Sequence, residues 1–357
     1  TGTAMLEVPV SVSRSPGIFS WLPRLAIAEG DPNRVYVLWQ EIVFSGGSHG
    51  GEIFFARSAD GGRSFDIAVN LSGTIAGDGK GRLSSDRWDN GSLDLVLGPG
   101  GEVHVAWTDY EGALWYRRST DGGQTFADRL HIAGDGTLPA RGPSLAVEGG
   151  DTVHLAWTVG EDPEADVHLV TSANNGIAFG TPTLAAESDG HADAPKLAVD
   201  GEGTVHLVYA EAPRRSPGRY QVQYTRRPFG DKTFEVPRAI AGTEMNGIDH
   251  VGFPSLSIDG DNKLYVVWER FPTRRGRPFG LQFAHSEDKG HTFGWHSVVP
   301  GTAEADAGFN GSLQGLLMRK LAVAKDGTIA VVNSSFREGQ GSRVYLIQGR
   351  VPASLVR

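Results

Sequence analysis

The chain has 357 residues, a formal net charge of −9 and no cysteine. That acidity argues against a nucleic-acid backbone as the main partner, which calls for a basic face, and without cysteine there is neither a disulfide nor thiol chemistry. No run of about 18 apolar residues is present, so no membrane-spanning helix is expected. The 49 glycines, with no long helical periodicity, point to strands and turns. No secretory signal is read at Thr1.

In chain order, a strand–turn–strand unit recurs at residues 23–39, 93–107, 143–157, 195–209, 254–268 and, in weaker form, 319–333. Each copy is an apolar strand, a Gly/Asp turn and an alternating strand. Leu25, Leu95, Leu145, Leu197, Leu256 and Leu321 anchor the copies. Their separation, roughly 50–70 residues, suits four-stranded propeller blades. Third strands are expected at 52–57, 114–118, 166–171, 220–225, 281–285 and 343–348. The turn that follows reads Ser58-Ala59-Asp60-Gly61-Gly62-Arg63-Ser64-Phe65, and again Ser119-Thr120-Asp121-Gly122-Gly123-Gln124-Thr125-Phe126 and Ser286-Glu287-Asp288-Lys289-Gly290-His291-Thr292-Phe293. Asp and Ser suit turn backbone bonding and Gly supplies a positive φ. Copy three keeps a degraded version at 172–179, copy four keeps Asp231, Thr233 and Phe234, and copy six has none.

The expected architecture is therefore all-β: one domain over 1–357, a six-bladed β-propeller of four-stranded antiparallel blades. The blades fall at about 20–73, 91–134, 141–187, 193–242, 250–300 and 315–350. Leu6-Glu7-Val8-Pro9-Val10-Ser11-Val12 reads like Phe234-Glu235-Val236-Pro237-Arg238-Ala239-Ile240. Residues 1–13 are accordingly expected to supply the outer strand of blade six, closing the ring and removing an open edge.

Strand direction places these Ser/Asp/Gly turns on one face and the longer loops on the other, around the channel mouth, where a site is expected. The recurring Trp39, Trp107, Trp157 and Trp268, with Tyr209, read as blade-packing core. His104, His154 and His206 share one repeat position on separate blades and read as packing rather than a metal centre. Trp88 stands outside the repeat, between Asp86 and Asp89. It suits sugar stacking, against the plainer reading of a capped loop. Calcium at Asp86, Asp89 and Asn90 lacks a ligand ladder, so no metal or other cofactor is assigned. His191, Asp193, Asp249 and His250 sit just before first strands and suit proton transfer or ligand binding, with solvated turns as the alternative. Rim arginines, Arg24 among them, suit a carboxylate, and Arg141 and Arg319, which begin strands, are the better placed.

The Ser-x-Asp-x-Gly-x-Thr/Ser-Phe turns resemble the Asp-box, or BNR repeat, of sialidase-like β-propellers. The resemblance implies a sialidase-like fold, export to the periplasm or exterior, and a mouth carrying an arginine triad, a Tyr nucleophile with an assisting Glu, and an Asp acid/base. In Trp21-Leu22-Pro23-Arg24-Leu25, Trp21 takes the place of the first triad arginine. An Arg-x-Pro-x-Leu string occurs instead at Arg141-Gly142-Pro143-Ser144-Leu145, in blade three. The loop that ends at His49 holds no Asp where the acid/base is looked for. Arg319, Glu211 and Tyr345 are the remaining candidates for late arginine, assisting carboxylate and nucleophile. Loss of the first arginine argues against classical exo-sialidase activity.

The preferred expectation is a non-catalytic propeller that binds a glycan or protein through a rim of Trp21, Arg24, His49, Trp88, Arg141, Glu211 and Arg319. The alternative is a glycoside hydrolase or polysaccharide lyase with a different site, drawn from Asp86, Asp89, His191, Asp193, Asp249, His250 and Arg141. A third is a propeller subunit of a larger assembly.

Overall fold

The structure, a computed structural model, describes residues 10–15, 19–45, 48–73, 92–109, 112–135, 137–159, 165–188, 190–214, 220–242, 250–272, 278–302, 309–310, 319–337 and 341–351. Six antiparallel sheets of four strands stand in a ring, a six-bladed β-propeller with no helix among the described residues. Blade one holds β1 (Phe19–Ala28), β2 (Asp31–Ser45), β3 (Ser48–Ser58) and β4 (Val69–Asn70). Blade two holds β5 (Leu93–Leu97), β6 (Val103–Thr108), β7 (Leu114–Ser119) and β8 (Leu130–Ala133). Blade three runs β9 (Ala140–Glu148), β10 (Thr152–Val159), β11 (Val167–Ser172) and β12 (Thr183–Ala186). Blade four runs β13 (Gly190–Val199), β14 (Val205–Pro213), β15 (Gln221–Arg227) and β16 (Arg238–Ala241). Blade five runs β17 (His250–Ile258), β18 (Leu264–Phe271), β19 (Gly280–Ser286) and β20 (Gly294–Val298). Blade six holds β21 (Phe309–Asn310), β22 (Leu321–Val323), β23 (Ile329–Arg337) and β24 (Gly341–Gly349).

The first strand of each blade is innermost, and successive inner strands touch: β1 with β5, then β9, β13, β17 and β22. Blade six departs from the pattern. β24 pairs along the whole of β23, and both β21 and β22 pair with β23 on its other edge. β21 is therefore an upper piece of the inner strand, not an outer fourth strand. Of the expected outer strand, residues 1–13, positions 1–9 lie outside the described residues, and positions 10–13 run as coil and bend rather than strand.

Second strands are buried on both sides because each blade is sandwiched between two others; β6 is buried at every position. Five mixed cores fill the seams from blade one–two round to blade five–six. The repeat leucine of each inner strand faces the preceding blade: Leu95 joins Tyr36, Leu38 and Phe55 of blade one. By that rule Leu25 faces blade six, and it is 66 % exposed where Leu95 is 6 %. Ile27, Val344 and Leu346 are exposed as well. The Trp ring is core, with Trp39, Trp107, Trp157, Trp268 and Tyr209 all buried. His104 and His206 bond the phenols of Tyr116 and Tyr224 at 2.6 and 2.8 Å, and His154 bonds Glu148 at 2.8 Å.

The recurring turns share one geometry. Ser119 Oγ donates to Asp121 Oδ1 at 2.7 Å and accepts the Gly123 N–H at 2.8 Å, while Thr125 Oγ1 donates to Asp121 Oδ2 at 2.6 Å. Blades one and five repeat these bonds, and blade three substitutes Asn174. The turn also docks on the preceding blade, a contact that the strand pattern did not suggest. Phe126, Phe179 and Phe293 meet Phe55, Tyr116 and Tyr224 edge-on, with centroids 4.8–5.0 Å apart. Gly123, at φ +80°, lies so close to the Phe55 ring that a Cβ would stand 2.7 Å from it.

Candidate functional site

Three inner strands begin with the same distortion. Leu22, Ala194 and Phe253 each precede a proline and take φ of 54°, 55° and 52°, and the pairing register shifts across each of them. Gly142, also before proline, takes φ 61° in blade three. A residue before proline normally adopts an extended conformation, and a non-glycine residue in the left-handed region is strained by roughly 1–3 kcal/mol. Such bulges re-aim side chains. Here Leu22, Ala194 and Phe253 meet in one apolar cluster. They come from blades one, four and five, and blades one and four face each other across a six-membered ring. The cluster therefore plugs the axis.

On the mouth side of that plug is a cleft of about 230 Å³ lined by Arg141, Asp193, Ala210, Tyr220, His250, Val251, Gly252, Phe253 and Phe271. Arg141 Nη2 reaches Asp193 Oδ2 at 3.4 Å, and Asp193 Oδ1 accepts the Ala194 N–H at 2.8 Å. Phe253 and Phe271 pack edge-on, 5.8 Å between centroids, as an apolar wall. Tyr220 stands against His191, ring to ring at 6.3 Å. His250 Nδ1 is buried with no hydrogen-bond partner among the described residues. The cleft thus joins a fixed ion pair, a phenol and an imidazole to an aromatic surface.

On the other side of the plug, along the strands, is a charged ring. The residue before each repeat leucine is Arg24, Asp94, Ser144, Lys196, Ser255 and Lys320, one per blade, and all six are buried. Asp94 accepts the Leu145 N–H at 2.8 Å, Ser144 the Leu197 N–H at 2.9 Å and Ser255 the Lys320 N–H at 3.0 Å, each bond crossing to the following blade. Lys320 contacts the buried Glu269 carboxylate. Arg319 donates to Asp94 Oδ2 at 2.5 Å and to Leu145 O at 3.2 Å. Arg24 Nε stands 3.7 Å from Asp94 Oδ1. Burial opposes ionisation of Asp94, but Arg319, Arg24 and Lys196 outweigh it and hold the carboxyl below its usual range. Burial, with Arg24 and Arg319 nearby, lowers Lys196 to about 7 against the pull of Asp94 and Asp193. Burial lowers Arg24 to about 10, with Asp94 opposing and Arg319 assisting.

Of the sequence candidates, Arg141, Asp193 and His250 come together in the cleft, with His191 beside Tyr220. Glu211 is buried next to it and accepts from Ser188 Oγ at 2.6 Å and Gln223 Nε2 at 2.7 Å. Arg24 and Arg319 converge on Asp94 in the ring rather than at the cleft. Tyr345 lies in β24 opposite Asn333, in blade six. Trp21 and His49 lie in β1 and β3, with their side chains outside the description. Asp86, Trp88, Asp89 and Asp249 lie outside the described residues. Sequence reading missed Tyr220, Phe253 and Phe271 in the cleft and Asp94, Lys196 and Lys320 in the ring. The available signal was a charged residue set in register before an apolar repeat leucine. Among the described residues no group of three or more His, Asp or Glu side chains forms a metal site, and no helix is long and apolar enough to cross a membrane.

No protein-family model and no curated protein matches the chain. Solved structures share its fold. A protein of unknown function from Dyadobacter fermentans is 13 % identical with a TM-score of 0.58, over 96 % of this chain and 98 % of its own. The GH93 α-L-arabinofuranosidase of Fusarium graminearum, in complex with arabinobiose, is 14 % identical with a TM-score of 0.58, over 96 % and 95 %. A polysaccharide lyase of family PL25, an ulvan lyase, is 13 % identical with a TM-score of 0.54, over 91 % and 78 %.

Proposed function

We propose that this chain is a sialidase-like propeller that engages a glycan in the mouth cleft of blades three, four and five. The observation that carries the reading is the Arg141–Asp193 ion pair set beside the Phe253–Phe271 wall. Sugars are bound by apolar ring faces together with a few fixed polar groups, and this cleft supplies both. Packing keeps Ala194 and Phe253 in the left-handed region despite its cost, and backbone fixed in this way tends to occur at ligand sites. Likeness in fold to an α-L-arabinofuranosidase bound to arabinobiose and to an ulvan lyase supports a glycan over a protein partner. An exported location, which the Asp-box resemblance implies, belongs to the same reading. A glycan array run with wild type, Arg141→Ala and Phe271→Ala tests it. Selective binding lost in both variants is expected; unselective signal, or binding unaffected by both, overturns it.

A second reading is cleavage of the bound glycan, favoured by Tyr220 and His250 in the same cleft. Phenol and imidazole are proton-transfer groups. Asp193 is the sole carboxylate among the described cleft-lining residues, so among them the two-carboxylate hydrolysis of most glycosidases finds no second acid. Elimination next to a uronate carboxylate needs no such pair: Arg141 offsets the charge of the carboxylate, while His250 and Tyr220 exchange the protons. Release of unsaturated uronate from an acidic polysaccharide, abolished in Tyr220→Phe and His250→Ala, would establish this reading over binding alone.

A further inference from the structure

The Phe that ends each Ser/Asp/Gly turn enters a socket on the preceding blade. In the blade one–two seam Phe126 packs with Phe55, Leu71, Val103 and Val105. Arg117 closes that socket, donating to Leu71 O at 3.0 Å and to Phe126 O at 3.1 Å. Phe179 and Phe293 stand against Tyr116 and Tyr224 in the same way, and Phe234 packs in the blade three–four seam. Blade six has no such turn and no such Phe.

Strand register shows what stands in the vacated place. Ser58 pairs with Val35 and Ser119 with Val103, each four residues before the repeat Trp; the matching pair in blade six is Gly349 with Ile329. Phe283 lies three residues before its turn Ser, as Phe55 does. The Val299 N–H donates to Leu281 O as the Leu71 N–H donates to Ile53 O. Ile347 pairs with Val331 as Arg117 pairs with Val105. Phe283, Val299, Ile329, Val331 and Ile347 are therefore the counterparts of Phe55, Leu71, Val103, Val105 and Arg117. All five line one cavity of about 180 Å³. With Ile347 in place of Arg117, these five walls are wholly apolar, and an apolar cavity of this size offers water no partners while it accepts a benzene-sized group.

The next apolar residues in the chain fall where that group is needed. Each turn Phe is seven residues after its Ser, and seven residues after Gly349 is Val356, preceded by Leu355. Val351 lines the cavity and packs on the blade five–six core. Leu355 and Val356 follow it by four and five residues, a reach of roughly 13–18 Å. Val351 stands at the turn Asp position and Ala353 at that of the left-handed Gly, so the side-chain bonds of the other turns have no counterpart there. Apolar burial is what remains to hold the segment. We propose that residues 352–357, which lie outside the described residues, fold back over the blade five–six seam and seat Leu355 and Val356 in this socket. The contact is separate from the mouth cleft, whose lining shares no residue with the socket.

The chain has no cysteine, so introduced pairs report contact without interference. In the full chain, Val299→Cys is combined in turn with Leu355→Cys and Val356→Cys, and oxidised samples are examined by peptide mass. The expected result is a disulfide within one chain for at least one pair, and none when Val69→Cys of blade one replaces Val299→Cys. Leu355→Ser/Val356→Ser should melt below wild type and recover part of the loss in saturating benzene, which should leave wild type unmoved. If that variant does not fold, the cross-links decide alone. No disulfide with either residue, or benzene raising wild type and variant equally, overturns the proposal. A disulfide found only between two chains overturns it in favour of a second copy. A link from Val299→Cys to Leu6→Cys in place of both overturns it in favour of the N-terminal segment.

Discussion

Arg141 and Asp193 hold the same repeat position in adjacent blades, four residues before Leu145 and Leu197, and their side chains meet at 3.4 Å across the channel mouth. The repeat therefore brings opposite charges together at one level, where a symmetric propeller would place like charges. The Arg141 side chain is 24 % exposed and that of Asp193 10 %, so solvent screens the pair only in part. Removing either partner takes an opposite charge away from a side chain that solvent reaches only in part. Arg141→Ala and Asp193→Ala should each weaken glycan binding at least several-fold. The double variant should lose less than the sum, with a coupling of about 0.5–3 kcal/mol in a double-mutant cycle. Strict additivity would show that the pair does not act as a unit.

The scaffold was legible because repetition multiplies a weak signal. Six leucines, five aromatic residues within second strands and three complete turns each recur in register, and together with the Asp-box resemblance they pointed to the fold class and the face assignment. The cleft and the ring were less legible for the opposite reason. At the ring position the residues are Arg24, Asp94, Ser144, Lys196, Ser255 and Lys320, which share burial and nothing chemical. Leu22, Ala194 and Phe253 defy local preference, since residues before proline avoid the left-handed region. Their meeting on the axis depends on ring geometry that no single blade encodes. Arg141 and Arg319 were read as opening inner strands and Arg24 as a rim residue, but which level of the channel each occupies depends on bulges that sequence does not announce.

The turn glycines separate packing from conformation. Gly123 and Gly62 are equivalent, at φ of 80° and 87°. A Cβ on Gly123 meets the Phe55 ring, whereas one on Gly62 meets nothing within 4 Å. Gly62→Ala should lose only the left-handed penalty of about 1–2 kcal/mol. Gly123→Ala should lose a further 1–3 kcal/mol, roughly, from overpacking against blade one. Denaturant melts of the two variants give the difference directly. Neither should alter ligand binding at the mouth, because the turns lie beside the first-to-second-strand turns on the other face, as the Gly61 N–H bond to Asn33 O at 2.9 Å shows. Equal destabilisation by the two would show that the contact with Phe55 contributes nothing.

Lys196 makes stability depend on alkaline pH. Its amine sits near 7 in the folded chain, lowered from 10.5 first by burial and then by Arg24 and Arg319, with Asp94 and Asp193 opposing. Between those two values the unfolded chain binds a proton that the folded chain does not. Stability therefore rises with pH across that window, and the penalty for charging the buried amine is fully present below it. Lys196→Met should melt higher than wild type near pH 7 and show a flatter rise from pH 7 to 10. Asp94 is shifted in the same direction, downward, but here folding favours the charged form: its lowered carboxyl contributes stability that is lost as acid protonates it. Asp94→Ala leaves the buried Arg24 and the partly exposed Arg319 without their carboxylate, a loss of up to about 3–5 kcal/mol, the range for a broken buried pair. Melting temperatures measured from pH 4 to 10 for wild type and both variants check each sign.

Closure of the ring is the remaining step, and the blade six–one seam carries its signature. Leu25 and Ile27 on blade one and Val344 and Leu346 on blade six are exposed, while the equivalent leucines of the other blades are buried. Among the described contacts, Lys325 of blade six pairs with Glu29 of blade one, both on the surface. An exposed ion pair of this kind contributes little, about 0–1 kcal/mol, so it does not hold a ring closed. We propose that residues 1–13 complete blade six as its outer strand, as the alternation of Leu6, Val8, Val10 and Val12 suggests. β24 then loses its open edge, and with it a template for pairing with a second chain. Deleting residues 1–13 should lower the melting temperature of the whole domain in one cooperative transition and promote self-association by light scattering. Adding back a peptide of residues 1–13 should reverse both. Unchanged melting and a monomeric truncated chain would show that blade six is closed in some other way.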